Sequence, residues 1–249
     1  MEKKKNNILV DVFARIWAVW GLIIFIATFV IFYIPSILCY LIKGNIGQKI
    51  FIDIARIWMR IWLTLIGCPV TVKGRENFKK GEAYVVVCNH NALLDPPLSS
   101  PFIPGPNKTI AKTSFAKIPI FGWYYKKGAV LVDRKSDASR RRSFEAMKKT
   151  LQSGMHMCIY PEGTRNRTND PLKRFYDGAF KLSTDSNKAI IPALLFNTKK
   201  AMPIDKKFYL LPAKLEIHFL PAVPSNDLST EELKEKVFKI MWDYYTAHQ

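Results

Sequence analysis

The sequence predicts an α/β fold, with a mixed, mostly parallel sheet covered by helices on both faces and an N-terminal membrane-embedded helix pair. Three observations predict it. From residue 70 onward, short β-branched runs such as Val85-Val86-Val87 alternate with stretches of helical character. Before that point, residues 16–42 contain no charged side chain. Hydrophobic residues make up 49% of the chain, which excludes intrinsic disorder.

Taken in order, Lys3, Lys4 and Lys5 precede the uncharged run. Its length suffices to cross a bilayer core of about 30 Å at roughly 1.5 Å per residue. It is too long for a cleaved signal peptide and lacks a small-residue cleavage pattern. Pro35 is expected to bend or end the helix near Tyr33 and Ile34. Two geometries follow: a span over 16–34, or a helical hairpin dipping into one leaflet. Next, Lys49, Asp53, Arg56 and Arg60 form one polar stripe on a segment otherwise carrying Ile50, Ile54, Ile57, Trp58, Ile61 and Trp62. Such a stripe marks an interfacial helix, or a helix that packs its apolar face on the protein core. The flanking lysines give no strong orientation bias, and the favoured arrangement is a membrane-embedded pair with both ends on one side of the bilayer. Residues 1–68 are thus read as membrane-associated helices and 69–249 as the α/β domain.

Gly67-Cys68-Pro69 closes the helical region. Strands are predicted at 70–74, 84–89, 108–111, 129–132, 157–160 and 190–196, with a hairpin or strand pair across 209–220. Helices are predicted from Pro96, near 117–125, and over 138–153, 178–184 and 229–247. The last begins Ser-Thr-Glu-Glu, which is suitable capping chemistry.

The formal net charge is +18, which implies an anionic partner: nucleic acid, an anionic lipid surface or a phosphorylated substrate. The aromatic residues concentrate in the apolar N-terminal segments and do not interleave with Lys and Arg, which disfavours nucleic acid. Cys39, Cys68, Cys88 and Cys158 lie far apart without a CxxC pair and read as buried thiols in a reducing compartment. His156, His218 and His248 lack partners at ligand spacing, so neither a metal nor a cofactor is expected.

The organising stretch is residues 85–96, where a buried strand runs into Asn89-His90-Asn91 and Asp95-Pro96-Pro97 follows. The last three residues have the form of a helix start, with Asp95 as N-cap. Residues five apart do not share a helix face. Two readings follow: a loop histidine beside an N-cap aspartate, or a tight connection that folds Asp95 back onto one nitrogen of His90. The latter would fix the tautomer and leave the other nitrogen as a base. Spacing alone favours the first reading, and a further stretch, 159–165, shifts the balance. Cys88 shares a strand face with His90, but a packed core thiol is the simpler reading.

With Tyr160-Pro161-Glu162-Gly163-Thr164-Arg165, this stretch resembles the first and third motifs of the glycerolipid acyltransferase family. That family includes the bacterial lysophosphatidic acid acyltransferases. Residues 128–134, ending Asp133-Arg134, and Ile191-Pro192-Ala193 fall in the order of its other motifs. The resemblance covers 73–220. It implies a membrane-bound enzyme moving an acyl group from acyl-CoA or acyl carrier protein to the sn-2 hydroxyl of lysophosphatidic acid, at the cytoplasmic face of the inner membrane. The acceptor lysophospholipid and anionic membrane lipids are its implied partners. His90 is the implied base and Asp95 its orienting partner. The implied substrate-binding residues are Lys112, Arg134, Glu162, Gly163, Thr164 and Arg165, the arginines suited to phosphate by their planar fork. Glu162 would bind glycerol hydroxyls or hold Arg165. The family commonly has Glu-Leu after the lysine, where this chain has Thr113-Ser114. An oxyanion stabiliser is required too, from N–H groups near Gly163 or at the helix start after Asp95. Alternatives are another lysophospholipid or an ornithine-type lyso-lipid as acceptor, hydrolysis by the same pair, or a basic membrane-bound nucleic-acid-binding protein.

Overall fold

The computed structural model describes residues 8–133 and 135–248. Two helices, α1 (Ile8–Leu38) and α2 (Gly44–Leu65), form an antiparallel pair. It is stitched by indoles: Trp17 Nε1 donates to Ile66 O, Trp62 Nε1 to Gly21 O and Trp58 Nε1 to Thr28 Oγ1. Only Ala14, Gly21, Thr28 and Ser36 of α1 are buried. Their spacing of about two turns makes a narrow seam of small residues where the backbones approach.

The body follows as β1 (Val70–Lys73), β2 (Val85–Cys88), α3 (Asp95–Leu98), β3 (Asn107–Lys112), α4 (Phe121–Gly128), β4 (Ala129–Val132), α5 (Asp137–Gln152), β5 (His156–Ile159), α6 (Gly178–Ser186), β6 (Ile190–Phe196), α7 (Thr198–Ala201), β7 (Leu215–Phe219) and α8 (Thr230–Ala247). Seven strands make one sheet in the order β1-β7-β6-β2-β5-β3-β4. Neighbours are parallel except β6 and β7, so β1 and β7 run against the other five. The expected mixed, mostly parallel sheet is what forms. The C-terminal ends of β6, β2, β5, β3 and β4 therefore share one edge, the place where open α/β sheets collect functional groups.

Both sheet faces are covered. Val86, Cys88, Cys158 and Ile191 point into a core shared with Trp58, Trp62, Leu63 and Ile66 of the helical pair. Val85, Val87, Met157 and Ile159 point into a second core against α5, α6 and α8. Burial on both faces is why the central strands are apolar throughout. Trp58 and Trp62 thus pack on the α/β body, and the apolar stripe that α2 exposes is Ile46, Ile50, Ile57, Ile61 and Leu65.

Three expectations are corrected. Pro35 does not end the first helix, which runs on to Leu38. Proline removes its own N–H and crowds the carbonyl four residues earlier, and the turn around it is tied by Ser36 Oγ donating to Phe32 O at 2.7 Å. No hairpin forms across 209–220. Within 209–220 only 215–219 is a strand, because the backbone before it spends its donors on helical segments: Leu210 N on Ala14 O inside α1, Leu211 N on Ala201 O at the end of α7 and Ala213 N on Gly67 O just past α2. Asp95 is also not an N-cap. Leu94 occupies that position, and the Asp95 carboxylate is used elsewhere.

Candidate active site

At the end of β2, the Asn89 side chain closes on the backbone of Leu195, donating to its O at 3.1 Å and accepting from its N at 2.7 Å. This amide clamp holds β2 against β6 at the point where the chain leaves the sheet, so the next residue emerges from a rigid base. That residue is His90. Its N–H donates to Glu162 Oε1 at 2.8 Å, and its O accepts from Asn166 N at 2.6 Å. The ring lies on Tyr160 with centroids 4.4 Å apart, and Tyr160 Oη meets Ser99 Oγ at 2.6 Å. Backbone, ring face and edge are each held by a different element.

Asp95 Oδ2 stands 2.7 Å from His90 Nδ1. The same oxygen accepts from the backbone N–H groups of Asn91 and Ala92. The loop wraps around the carboxylate, which is fully buried. An oxygen already accepting two N–H donors is an acceptor for the imidazole as well, so Nδ1 carries the hydrogen and Nε2 presents a lone pair. Among the described residues Nε2 has no hydrogen-bond partner, and the side chain is 19% exposed. The pair is in place, built by a tight loop.

Glu162 is fully buried. Its oxygens accept from His90 N and, at 3.2 Å, from Lys173 N, so the carboxylate ties the His90 loop to the loop after β5. Burial pushes its carboxyl up to about 7, against the pull of those two donors. Gly163 has φ +69°, a left-handed turn that a side chain would strain. Thr164 is exposed and accepts from Lys173 Nζ at 2.6 Å. Arg165 is half-buried, and among the described residues no carboxylate pairs with it. Lys112 ends β3 on the same edge, exposed, two strands along from β2. Arg134 lies outside the described residues.

Several of the candidate oxyanion donors are engaged within the protein. Gly163 N donates to Tyr160 O, and Thr164 N to Glu162 O. At the start of α3, Asp95 N donates to Ala92 O and Leu98 N to Leu94 O, while Pro96 and Pro97 have no N–H. Ile191 and Ala193 are wholly buried within β6.

Beside the pair, a cavity of about 520 Å³ runs between α1 and residues 202–210. Leu22, Phe25, Trp62 and Leu210 line it, and Leu93, Arg165 and Arg167 border it. An apolar trough bordered by guanidinium groups fits an amphiphile with an anionic head.

Sequence reasoning missed four contributors. Tyr160 and Asn89 stood inside the quoted motifs without a role, and Asn166 sits one residue past them. Ser99 carried no signal, because only folding brings it to the Tyr160 hydroxyl.

A strand-exit histidine held by a buried carboxylate, with an apolar cavity bordered by Leu93 and Arg165 nearby, is an arrangement able to accept a proton at Nε2. Comparison with known proteins names the class of protein. The sequence profile of the acyltransferase family matches residues 69–195. The 1-acyl-sn-glycerol-3-phosphate acyltransferase of Borreliella burgdorferi is 30% identical over 76% of this chain and 74% of its own length. An enzyme of the same name from Chlamydomonas reinhardtii is 28% identical over 89% of this chain, and one from Saccharomyces cerevisiae is 30% identical over 66% of it. The matched regions span 66% and 54% of those two relatives. The crystal structure of the 1-acyl-sn-glycerophosphate (LPA) acyltransferase PlsC from Thermotoga maritima shares the fold, with a TM-score of 0.80 over 95% of this chain and 96% of that one at 22% identity. The chain belongs to the acyltransferase family.

Proposed function

We propose that the protein transfers a fatty acyl group from a thioester, acyl-CoA or acyl carrier protein, to the sn-2 hydroxyl of lysophosphatidic acid, giving phosphatidic acid. The observation that carries this reading is the unoccupied Nε2 of an imidazole whose Nδ1 is fixed by a buried carboxylate. As the acceptor oxygen attacks the thioester carbonyl, Nε2 takes its proton. The C–S bond then breaks, and the departing thiolate takes that proton back from the imidazolium. Asp95 stabilises the transient cation.

Glu162 acts by holding the two loops together, with Gly163 shaping the turn. Arg165 and Arg134 are assigned to the acceptor phosphate, Lys112 and Thr164 to its approach along the same edge. The cavity beside Leu93 takes an acyl chain. The names of the relatives support the acceptor, and the basic, apolar surroundings suit it.

The outer face of α1 is apolar and exposed, from Ile16 and Ile23 to Ile34, and we assign it to the bilayer. The catalytic edge then faces the cytoplasm at the inner membrane, where acyl thioesters are available.

The test is an acceptor screen with defined lysolipids and one thioester, run on wild type and His90→Ala. Lysophosphatidic acid is expected to be preferred, and the variant to lose transfer while still binding vesicles. Preference for an acceptor without phosphate, or near-normal turnover of the variant, overturns the reading.

A further inference from the structure

We propose that a polar cavity beside β7 takes the nucleotide end of an acyl-coenzyme A donor, holding its phosphates on Lys199 and Lys200 while the thioester lies at His90. It rests on the acyl-transfer reading and names the carrier of the acyl group.

This cavity, of about 540 Å³, opens on the α8 side of the sheet. Phe196 at the end of β6, Lys199 and Lys200 of α7, and Tyr245 and His248 where α8 ends form its walls. Lys73, Glu216 and His218 close its floor. A recess of that size suits a small molecule.

The charge balance points to an anion. Three lysines line the cavity against one carboxylate. That carboxylate, Glu216, is taken up by His218 Nε2 at 2.7 Å and by Lys73 Nζ at 3.2 Å. Lys199 and Lys200 remain, and among the described residues neither pairs with a carboxylate. Consecutive lysines without a counter-charge repel each other, and a phosphate between them relieves that cost.

The rings identify the rest of the ligand. The His248 imidazole lies on Tyr244 with centroids 3.9 Å apart and planes 14° apart, and the residue is exposed. Phe196 and Tyr245 stack 4.9 Å apart in the same lining. Ring surface beside two lysines suits a purine whose ribose carries phosphates. An acyl carrier protein would need an open face of about 800 Å² and could not enter a recess.

Position ties the cavity to the reacting groups. In the strand order β7 stands two places from β2, about 10 Å by the ordinary strand spacing. A pantetheine arm, comparable to about four extended residues, spans roughly 14 Å. Phe196 pairs with Glu216 and Cys88 with Ala193, so the cavity and His90 lie at the same sheet edge. One turn touches both. Asn166 N donates to His90 O at 2.6 Å, the Asn166 side chain accepts from Thr168 N at 2.8 Å, and Thr168 O accepts from Lys199 Nζ at 2.6 Å. Lys112, assigned to the acceptor, ends a strand two places from β2 in the other direction. The two substrates thus approach His90 from opposite flanks.

The test uses the full chain in detergent, with Lys200→Glu as the variant and Lys236→Glu, at an exposed position on α8, as the control for net charge. Adenosine 3′,5′-bisphosphate, titrated by calorimetry, is expected to bind wild type and control alike and Lys200→Glu at least about tenfold more weakly. In initial rates, Lys200→Glu is expected to raise KM for acyl-coenzyme A at least about tenfold, with kcat and the KM for lysophosphatidic acid within about twofold. Acyl-pantetheine, which lacks the nucleotide, should give equal rates with wild type and variant. Unchanged KM for acyl-coenzyme A, an equal rise with acyl-pantetheine, or the same loss in the control overturns the proposal. Transfer from acyl carrier protein with none from acyl-coenzyme A overturns it too, and leaves the acceptor assignment standing. Nucleotide binding weakened in Lys200→Glu, without acyl transfer by any of the proteins, overturns the functional reading alone.

Discussion

Two histidines in this protein sit 2.7 Å from a carboxylate, and only one has the makings of a base. At His90 the carboxylate is fully buried, also accepts two loop N–H groups, and leaves Nε2 unoccupied. At His218, on β7, Nε2 meets Glu216 and Nδ1 meets the Tyr244 hydroxyl at 3.1 Å, so both nitrogens are engaged. Its side chain is 4% exposed, and Glu216, 32% exposed, is shared with Lys73. The pairing distance is the same. What differs is the second nitrogen and the burial of the carboxylate, and of the two only His90 keeps a ring nitrogen without a partner among the described residues.

Substitution of the rings breaks the comparison most directly. His90→Ala is expected to lower kcat/KM by about 10²- to 10⁴-fold, the range of general-base catalysis, while His218→Ala changes it less than about threefold. Initial rates with purified, folded variants measure both.

The carboxylates come next. Asp95→Asn keeps the shape and removes the charge that steadies an imidazolium, so kcat/KM should fall about 10²-fold with stability lower by about 1–3 kcal/mol. Glu216→Gln should leave rates unaltered.

A third contrast lies in how stability follows pH. Burial raises the Glu162 carboxyl from 4.5 to about 7, so the folded chain holds this proton more tightly than the unfolded chain. That contribution is complete below pH 4.5 and disappears as pH rises to about 7, a change on the order of 3 kcal/mol. Glu216 is held below its ordinary value, mainly by its hydrogen bond with His218. Its contribution is present above the unfolded value and is lost as pH falls. Urea midpoints against pH should therefore lose their near-neutral slope in Glu162→Gln and part of their acid slope in Glu216→Gln. The smallest effect belongs to Tyr160→Phe, which keeps the ring against His90 and loses the Ser99 contact. It should cost about 1 kcal/mol of stability and less than about threefold in rate.

The legible parts of the molecule were those written locally. Short apolar runs marked β2, β5 and β6 within about a residue, because a strand buried on both faces needs apolar side chains nearly throughout. The His90–Asp95 pair was legible from the resemblance that residues 89–95 and 160–165 carry together, and the short loop between the two side chains closes it. What was not legible depended on distant partners. An amphipathic stripe cannot say whether a bilayer or a protein core receives its apolar face, and α2 gives Trp58 and Trp62 to the core. Residues 209–214 have strand-like composition, yet carbonyls of the helical segments accept their donors. Asp95 had the form of a cap until the imidazole and two loop N–H groups claimed its oxygen. The stack of Tyr160 on His90 requires β2 and β5 to be neighbours, which no local pattern states.

The way α2 is built into the sheet has a practical side. A worker wanting a water-soluble catalytic fragment would cut near residue 68, where helices give way to the first strand. That cut would strip Trp58, Trp62, Leu63 and Ile66 from the hydrophobic interior behind β2 and open the floor beneath the reacting groups. Solubility engineering must begin on the outer rows of α1 and α2 instead, replacing side chains and leaving the backbone intact.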